Sequence, residues 1–242
     1  MSTDRHTITV SDLDVEVVRK EIKNLHLGVY PPAGRVRIAV PDHVNDEAVR
    51  LAIVDKLPWI HRQRRAFAEQ ARQSDREMVN GESHFVFGHR YRLRVIEVNA
   101  PPTVTIRGKT NLLLQVRPSS SGQKRAEILN HWYRQQLRLR LPDLIAHWEP
   151  IIGVVVANWG IKRMKTRWGT CNIGARRIWI NLELAKKPPQ CLEYIVVHEM
   201  VHLLERHHND RFRQLMGGFF PQWEQARATL KQAPLGHEDW QY

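Results

Sequence analysis

The sequence is poor in cysteine, in long apolar runs and in glycine-rich phosphate loops. Its 242 residues include two cysteines, Cys171 and Cys191, so we expect neither a disulfide scaffold nor a cysteine-rich structural zinc site. No apolar run approaches the roughly 18 residues of a membrane helix, and no membrane partner is expected. The first residues contain no apolar h-region of a secretory signal, which predicts a cytoplasmic protein. A Walker-type glycine loop is also missing, which weakens any nucleotide-binding hypothesis.

Acidic residues are fewer than basic ones. Asp and Glu total 25 against 37 Lys and Arg, for a formal net charge of +12. Such a surface could attract nucleic acid. The basic residues are spread along the chain, however, and a diffuse solvated surface is the more common arrangement. We therefore expect at most a weak association with nucleic acid. The composition, with 42% hydrophobic and 26% charged residues, indicates an ordinary globular fold.

The first third of the chain has the periodicity of strands followed by a helix. Apolar residues alternate on both sides of the turn at Pro31–Gly34, which predicts a hairpin. From Asn45 to about Gln73 the apolar residues recur at helical spacing, with Asn45 as the N-cap. Pro58 is expected to kink or divide this helix.

The middle of the chain contains the predicted domain boundary. Apolar alternation continues through residues 85–116, and no internal repeat is apparent. Ser119–Gly122 is the clearest linker. The sequence therefore predicts a β-rich N-terminal region with one long helix at 1–120 and a second domain at 121–242.

The second domain begins and ends with predicted helices. The first runs from Arg125 to about Leu141 and is interrupted by Pro142. A strand is expected at Ile178–Leu182. The next helix is predicted over Glu193–Leu204, just after a pair of prolines.

The last of these helices contains the pattern His-Glu-x-x-His. Residues four apart on a helix lie one turn apart on the same face, so His198 and His202 can hold one cation with their ring nitrogens. Glu199 projects beside that cation, where it can activate water and transfer a proton. The apolar residues around the motif predict a buried helix, which argues against three merely solvated polar groups. We therefore predict a zinc site.

A catalytic zinc needs a third protein ligand and an open coordination position. The chain becomes charged after Leu204, so the helix can end there, and His208 in the following turn can reach back to the metal. His207 and Glu224, the latter on a later helix, are the alternatives.

Two further groups of residues are candidates for contact with the substrate. Arg167 and Lys165 could stabilise a developing oxyanion, although a surface ion pair is the alternative. Ile178, Trp179 and Ile180 could pair with an extended substrate through the backbone, or they could form an ordinary core strand.

Two longer motifs extend around these residues. They are the runs Lys165-x-Arg167-Trp168-Gly169-x-Cys171 and His198-Glu199-x-x-His202-Leu203-x-x-x-x-His208-x-x-x-Phe212. Together they resemble the YgjP-like metal-dependent hydrolases, a zinc metallopeptidase family related in pattern to the SprT-like and WLM-type proteases. The resemblance extends from about residue 20 to residue 230. It implies His198, His202 and His208 as zinc ligands and Glu199 as general base, in a short zincin-like domain.

The sequence thus predicts an α+β protein, with a β-rich N-terminal half followed by a small zincin-like metallopeptidase domain. Its predicted activity is hydrolysis of a peptide or protein substrate by zinc-activated water. Two alternatives stay open. One is a metal-dependent phosphohydrolase acting on a nucleotide, and the other is a nucleic-acid-associated protein with a structural zinc.

Overall fold

A computed structural model shows a mixed α+β chain with two compact units, one within residues 1–74 and the other within 75–233. The predicted boundary at Ser119–Gly122 falls inside the second unit. Ser121 there is the N-cap of a long helix, and its side chain accepts a hydrogen bond from the backbone N–H of Lys124 at 3.2 Å. A serine- and glycine-rich stretch therefore begins a helix and does not link two domains. The residues that the structure describes are 5–30, 34–69, 77–164 and 167–232.

The first unit is a four-stranded sheet followed by one helix. Its elements are β1 (Arg5–Val10), β2 (Leu13–Lys20), β3 (His26–Tyr30), β4 (Arg35–Pro41) and α1 (Asp46–Glu69). The strand order is β1-β2-β4-β3, with β2 and β4 parallel and the two outer pairs antiparallel. The antiparallel pair of β3 and β4 is the predicted hairpin, although residues 31–33 of its turn lie outside the described residues. Buried Val17, Ile38 and Ile53 belong to the core of this unit.

Helix α1 begins as predicted but continues through its proline. The side chain of Asn45 accepts a hydrogen bond from the backbone N–H of Ala48 at 2.9 Å. Pro58 lies inside the helix on an exposed position and does not divide it. Buried Ile53 and Ile60 on either side of Pro58 pack into one core, which keeps both halves of the helix together.

The second unit contains two sheets, four α-helices and one short 3-10 helix (Leu182–Lys186) within its described residues. Its elements are β5 (Ser83–Val86), β6 (His89–Glu97), β7 (Thr103–Arg107), β8 (Asn111–Val116), α2 (Gly122–Ile152), β9 (Asn158–Lys162), β10 (Gly169–Asn172), β11 (Arg177–Asn181), α3 (Pro189–Val201), α4 (Asp210–Phe219) and α5 (Trp223–Gln232). A four-stranded sheet has the order β5-β6-β8-β7, and a three-stranded sheet has the order β10-β11-β9.

The two four-stranded sheets have the same topology. In each, the first two strands are antiparallel, the second and fourth are parallel, the last two are antiparallel, and a long helix follows. The sequence shows no repeat, because the same alternation of buried and exposed positions can be satisfied by different side chains. Elements β1–α1 are therefore a structural counterpart of β5–α2, and the elements from β9 to α5 are specific to the second unit.

Helix α2 connects the larger sheet of the second unit to α3. It extends through Pro142, beyond its predicted end, because buried Leu141 and Ile145 continue its apolar face across the proline. The hydroxyl of Tyr133 donates to the carbonyl of Phe85 in β5 at 2.8 Å, and the indole of Trp148 donates to a side-chain oxygen of Glu193 in α3 at 3.2 Å. None of the helices in the described residues is both long and apolar enough to cross a membrane.

Candidate active site

Helix α3 places the first two candidate residues in the interior of the second unit. It begins at Pro189, four residues before its predicted start, and ends at Val201, with His202 as its C-cap. The side chains of Val196, Val197 and Met200 are fully buried. His198 and Glu199 therefore lie in the last turn of a helix that is surrounded by apolar side chains, as the sequence predicts.

Three imidazoles meet at the end of this helix. The Nε2 atoms of His198 and His208 are 3.0 Å apart, and one ring nitrogen from each of His198, His202 and His208 lies within 4.8 Å of the others. The ring of Phe212 in α4 packs against all three, at centroid distances of 4.7 to 4.9 Å. Asn209 accepts a hydrogen bond from the backbone N–H of Phe212 at 2.9 Å, which starts α4 directly after His208.

The other two candidates for a third ligand lie elsewhere. His207 is exposed, and its backbone N–H donates to a side-chain oxygen of Glu205 at 3.0 Å. Glu224 is exposed in the first turn of α5. Among the described residues, the histidine, cysteine and acidic side chains that converge closely enough to share a metal are His198, His202 and His208.

The three imidazoles have the protonation state and spacing that a metal requires. Burial lowers the pKa of His198 to about 3, with smaller contributions from His202, His208 and Arg227, and burial also lowers the pKa values of His202 and His208. The rings are therefore neutral at pH 7, which is the metal-binding form. The Nδ1 atom of His202 lies 3.0 Å from the carbonyl oxygen of Glu205, which leaves its Nε2 free for a metal. Nitrogens around a tetrahedral zinc are roughly 3.3 Å apart, so the observed spacing fits.

Glu199 is a buried carboxyl beside the three histidines. It is 4% exposed, and burial raises its pKa to about 8, against the opposing positive charge of Arg167. Strand β10 approaches this carboxyl very closely at Gly169. A Cβ atom at Gly169 would lie 2.5 Å from Oε1 of Glu199. Only glycine leaves enough room for Glu199 in its present position.

The loop before β10 is held by a buried asparagine. Asn181 is 3% exposed, and its amide nitrogen donates to the carbonyls of Met164 and Arg167, each at 2.7 Å. This arrangement fixes the backbone that presents Arg167 to the site. Lys165, the other predicted cation, lies outside the described residues.

The histidines and Glu199 open into a cleft of about 1070 Å³. The cleft is lined by the whole of β10, by residues of α3, by the loop between His202 and His208, and by α5. Besides β10, the three histidines and Glu199, the residues that line the cleft include Arg167, Ile173, Tyr194, Ile195, Arg206, Arg227 and Leu230. The site therefore has space for a substrate next to the candidate metal position.

The predicted substrate-pairing strand needs a correction. Ile178, Trp179 and Ile180 belong to β11, which is the central strand of its sheet and pairs with β10 on one side and β9 on the other. Its backbone groups are already used. Within the described residues, β10 is an edge strand of this sheet, and all four of its residues line the cleft.

Several residues of the site were not assigned to it from the sequence. Gly169 and Asn181 could have been suspected, since glycine inside a strand often marks a close approach and a buried asparagine needs partners. Tyr194 precedes His198 by one helical turn, and its ring lies edge-on at 5.7 Å. No local pattern points to Arg206 and Arg227, because they reach the cleft only through the placement of a loop and a later helix.

Comparison with known proteins identifies the family. No curated protein matches the sequence. Two solved metallopeptidase zymogens are similar in part: abylysin of Pyrococcus abyssi, at 19% identity and a TM-score of 0.35 over 40% of this chain and 98% of that one, and jannalysin of Methanocaldococcus jannaschii, at 18% and 0.34 over 38% and 93%. Similarity at this level does not establish a shared fold. The sequence model of the YgjP-like metallopeptidase domain, however, matches residues 23–233, and the chain therefore belongs to the YgjP-like family.

Proposed function

We propose that this chain is a zinc-dependent peptidase with a zincin-like active site. His198, His202 and His208 would hold the metal, and Glu199 would act as general base. The observation that carries the proposal is the meeting of three neutral imidazoles beside one buried carboxyl in an open cleft. Three nitrogen ligands with space for a fourth position suit a catalytic zinc, whereas structural zinc sites are usually closed by four protein ligands.

The chemistry divides between the metal and Glu199. When bound, zinc supplies a Lewis acid that activates water and polarises a carbonyl. Glu199 accepts the proton of the attacking water and then donates it to the amine nitrogen of the leaving group. Its burial favours the protonated carboxyl, so the proton can be kept between the two transfers.

The substrate would bind along β10. An extended peptide can add to the free edge of Gly169–Asn172 through backbone hydrogen bonds, which places its chain beside Glu199. Arg167 is close enough to Glu199 to affect the pKa of its carboxyl, and the same positive charge would stabilise a developing oxyanion.

The proposal is tested by digestion of a mixed peptide library, with the products read by mass spectrometry. We expect cleavage by the zinc-loaded protein, loss of cleavage on chelation and recovery on adding zinc back. Glu199→Gln should retain one bound zinc and lose at least about 100-fold in rate, since a general base contributes roughly that much. Cleavage by Glu199→Gln at the wild-type rate would contradict the assigned mechanism.

The same preparation separates the two alternatives. Phosphate release from nucleotides, without peptide cleavage, would favour a phosphohydrolase. Unfolding on chelation, with no hydrolysis of any substrate, would favour a structural zinc. The peptidase proposal predicts that the folded protein survives chelation, because α3 is held by an apolar core that does not include the imidazoles.

A further inference from the structure

The cleft carries positive charge that the proposed chemistry does not use. Three arginines line it: Arg167, Arg206 and Arg227. Glu199 is the one acidic residue among the lining residues that the structure describes. Arg167 is adjacent to Glu199, so its charge is partly balanced there. Arg206 and Arg227 line the same cleft with no acidic side chain within ion-pair distance among the described residues, and a cleft concentrates the field of the charges on its walls.

Arg206 lies in the short loop between two of the proposed ligands. The backbone of this loop is fixed on both sides, because Glu205 accepts from the backbone N–H of His207 and His202 contacts the carbonyl of Glu205. The side chain of Arg206 is exposed in the cleft, and no ion-pair partner lies within reach among the described residues. Its donors are therefore available to a ligand.

Arg227 faces the site from a different element. It lies on α5, three residues before Leu230, and both side chains line the cleft. His198 and His208 line the same cleft, so Arg227 shares that space with two of the proposed ligands. It is exposed, and the described residues place no acidic group within ion-pair distance of it. The guanidinium carbon of Arg227 also lies 6.0 Å from the centroid of the Trp223 ring. Two separate elements thus contribute an arginine to one cleft, and neither arginine has an acidic partner among the described residues.

We propose that Arg206 and Arg227 form a carboxylate-binding subsite that directs cleavage to peptide bonds close to an acidic side chain or to the peptide's C-terminus. The inference rests on the proposed function, and it names the substrate class. A planar guanidinium binds a carboxylate through two parallel hydrogen bonds, which gives both charge and direction. A peptide is favoured over a nucleic acid because β10, an edge strand of its sheet, also lines the cleft, and an edge strand can pair with an extended backbone.

The first test compares matched peptides as substrates. A peptide cleaved in the library digest is prepared with Glu or Gln beside the scissile bond, each with a free or an amidated C-terminus. We expect the wild-type protein to cleave the best carboxylate-bearing peptide with a kcat/KM about five- to tenfold higher than its fully amidated Gln counterpart, the effect of a partly exposed ion pair. The four peptides show whether the side chain or the terminus supplies the carboxylate.

Variants then assign the preference to the two arginines. In Arg206→Gln and in Arg227→Gln, the ratio of the kcat/KM for the carboxylate-bearing peptide to that for the amidated Gln peptide should fall toward one. The fall should come mainly from a lower kcat/KM for the carboxylate-bearing peptides, while the kcat/KM for the amidated Gln peptide changes little. Arg138→Gln is the matched control, because Arg138 is exposed on α2 and does not line the cleft. Two outcomes would overturn the subsite proposal and leave the peptidase proposal intact. One is an equal kcat/KM for acidic and amidated peptides in the wild-type protein. The other is a preference for the acidic peptide that persists when Arg206→Gln and Arg227→Gln are combined.

A binding measurement keeps the two proposals separable. Zinc-loaded Glu199→Gln protein is titrated with fluorescein-labelled peptides of one fixed sequence, with Glu or Gln at its centre and a free or an amidated C-terminus, and anisotropy gives the Kd without any turnover. A five- to tenfold tighter Kd for the carboxylate peptide, abolished by Arg227→Gln, supports the subsite even if no peptide is cleaved. Equal Kd values, or binding of a single-stranded oligonucleotide that depends on both arginines while acidic peptides do not bind, overturns it.

Discussion

Gly169 determines how closely β10 can approach Glu199, the proposed general base. Its missing Cβ leaves the space that Glu199 occupies, since that atom would lie 2.5 Å from Oε1 and 2.7 Å from Cγ of Glu199. A carboxyl that is 4% exposed has little room to move aside. The identity of one glycine therefore fixes the position of a neighbouring side chain.

We predict that Gly169→Ala lowers kcat by about 10- to 100-fold, because a displacement of roughly 1 Å in a catalytic group costs that much. Zinc content and the thermal midpoint should change little, since the ligands are untouched. Gly217→Ala is the control, because a Cβ there meets nothing within 4 Å. Unchanged kcat in Gly169→Ala would show that the position of Glu199 is not critical.

At the same scale, the sequence was most informative where the spacing is local. His198, Glu199 and His202 lie within one helical turn, so their common face follows from the helix period alone. The sequence favours His208 over His207 and Glu224 because the turn after Leu204 can bring the His208 ring back to the two helix histidines. Arg227 depends on where α5 packs, and no short-range pattern carries that information.

At the scale of elements, the β5–β6 turn supports the start of α3. Phe87 and Gly88 both have positive φ, as in a type I′ hairpin turn, and their backbone N–H groups donate to the carbonyls of Ala185 and Lys186. A Cβ at Gly88 would lie 3.0 Å from the Cα of Pro188, the residue before α3. This turn therefore holds the N-terminus of the helix that carries the histidines.

Gly88→Ala should destabilise the protein by about 2–3 kcal/mol, from backbone strain at φ 83° together with the clash against Pro188. Gly108→Ala is the matched control, because Gly108 has φ 62° in a turn with nothing within 4 Å. Gly108→Ala introduces the backbone strain without the clash and should therefore destabilise the protein by about 1 kcal/mol. Urea unfolding of both variants measures the difference, and equal losses would rule out a role for the contact.

The segment between β11 and α3 contains a buried lysine that should make stability depend on pH. Lys187 is 3% exposed, and burial lowers its pKa from 10.5 to about 8, although Glu183 opposes the shift. Between these two values the unfolded chain holds a proton that the folded chain has released. Stability from this group is therefore lowest below about pH 8 and rises as the pH increases toward 10.5.

We predict that wild-type stability gains about 2–3 kcal/mol relative to Lys187→Met between about pH 8 and pH 10. The comparison with the variant cancels the groups common to both, including the two cysteines, whose raised pKa values act in the opposite direction. Urea unfolding across this range provides the measurement. Parallel curves for the two proteins would mean that Lys187 titrates normally in the folded state.

The sequence predicts most elements of both units but misplaces some of their ends. Pro142 is predicted to interrupt its helix and Pro58 to kink or divide its own. Neither proline ends its helix, because in each case buried residues on both sides of the proline pack into the same core. Ser121 was assigned to a linker and is a helix cap. Proline and serine mark boundaries only where no tertiary contact outweighs the local preference.

At the scale of the whole molecule, all the residues proposed for metal binding, catalysis and substrate binding belong to one unit. The three histidines, Glu199, Arg206 and Arg227 lie within residues 75–233, which have their own hydrophobic core. We predict that residues 75–233 expressed alone fold, bind one zinc and cleave the library peptides with a kcat within about threefold of the full chain. Circular dichroism, zinc content and the digest provide the check. A folded but inactive fragment would assign the first unit a direct role in catalysis.

The repeated sheet was beyond the reach of sequence reasoning for a physical reason. A strand requires only alternating buried and exposed positions, so Ile38 in one sheet and Leu114 in the other can fill their cores with unrelated side chains. The two sheets can therefore share one topology without sharing a recognisable sequence. The predicted domain boundary at Ser119–Gly122 is misplaced for the same reason, because no repeated sequence marks the end of β1–α1.

The order of these elements along the chain determines when the proposed active site can form during synthesis. The first unit can fold as it leaves the ribosome, since its strands and helix are close neighbours in the sequence. The three histidines and α5 follow the two four-stranded sheets, and α5 emerges roughly 8–30 s after residue 75 at ordinary rates of translation. The proposed hydrolytic centre therefore forms only after the strands of both sheets have been made, when those strands can already be folded and no longer available as extended substrate.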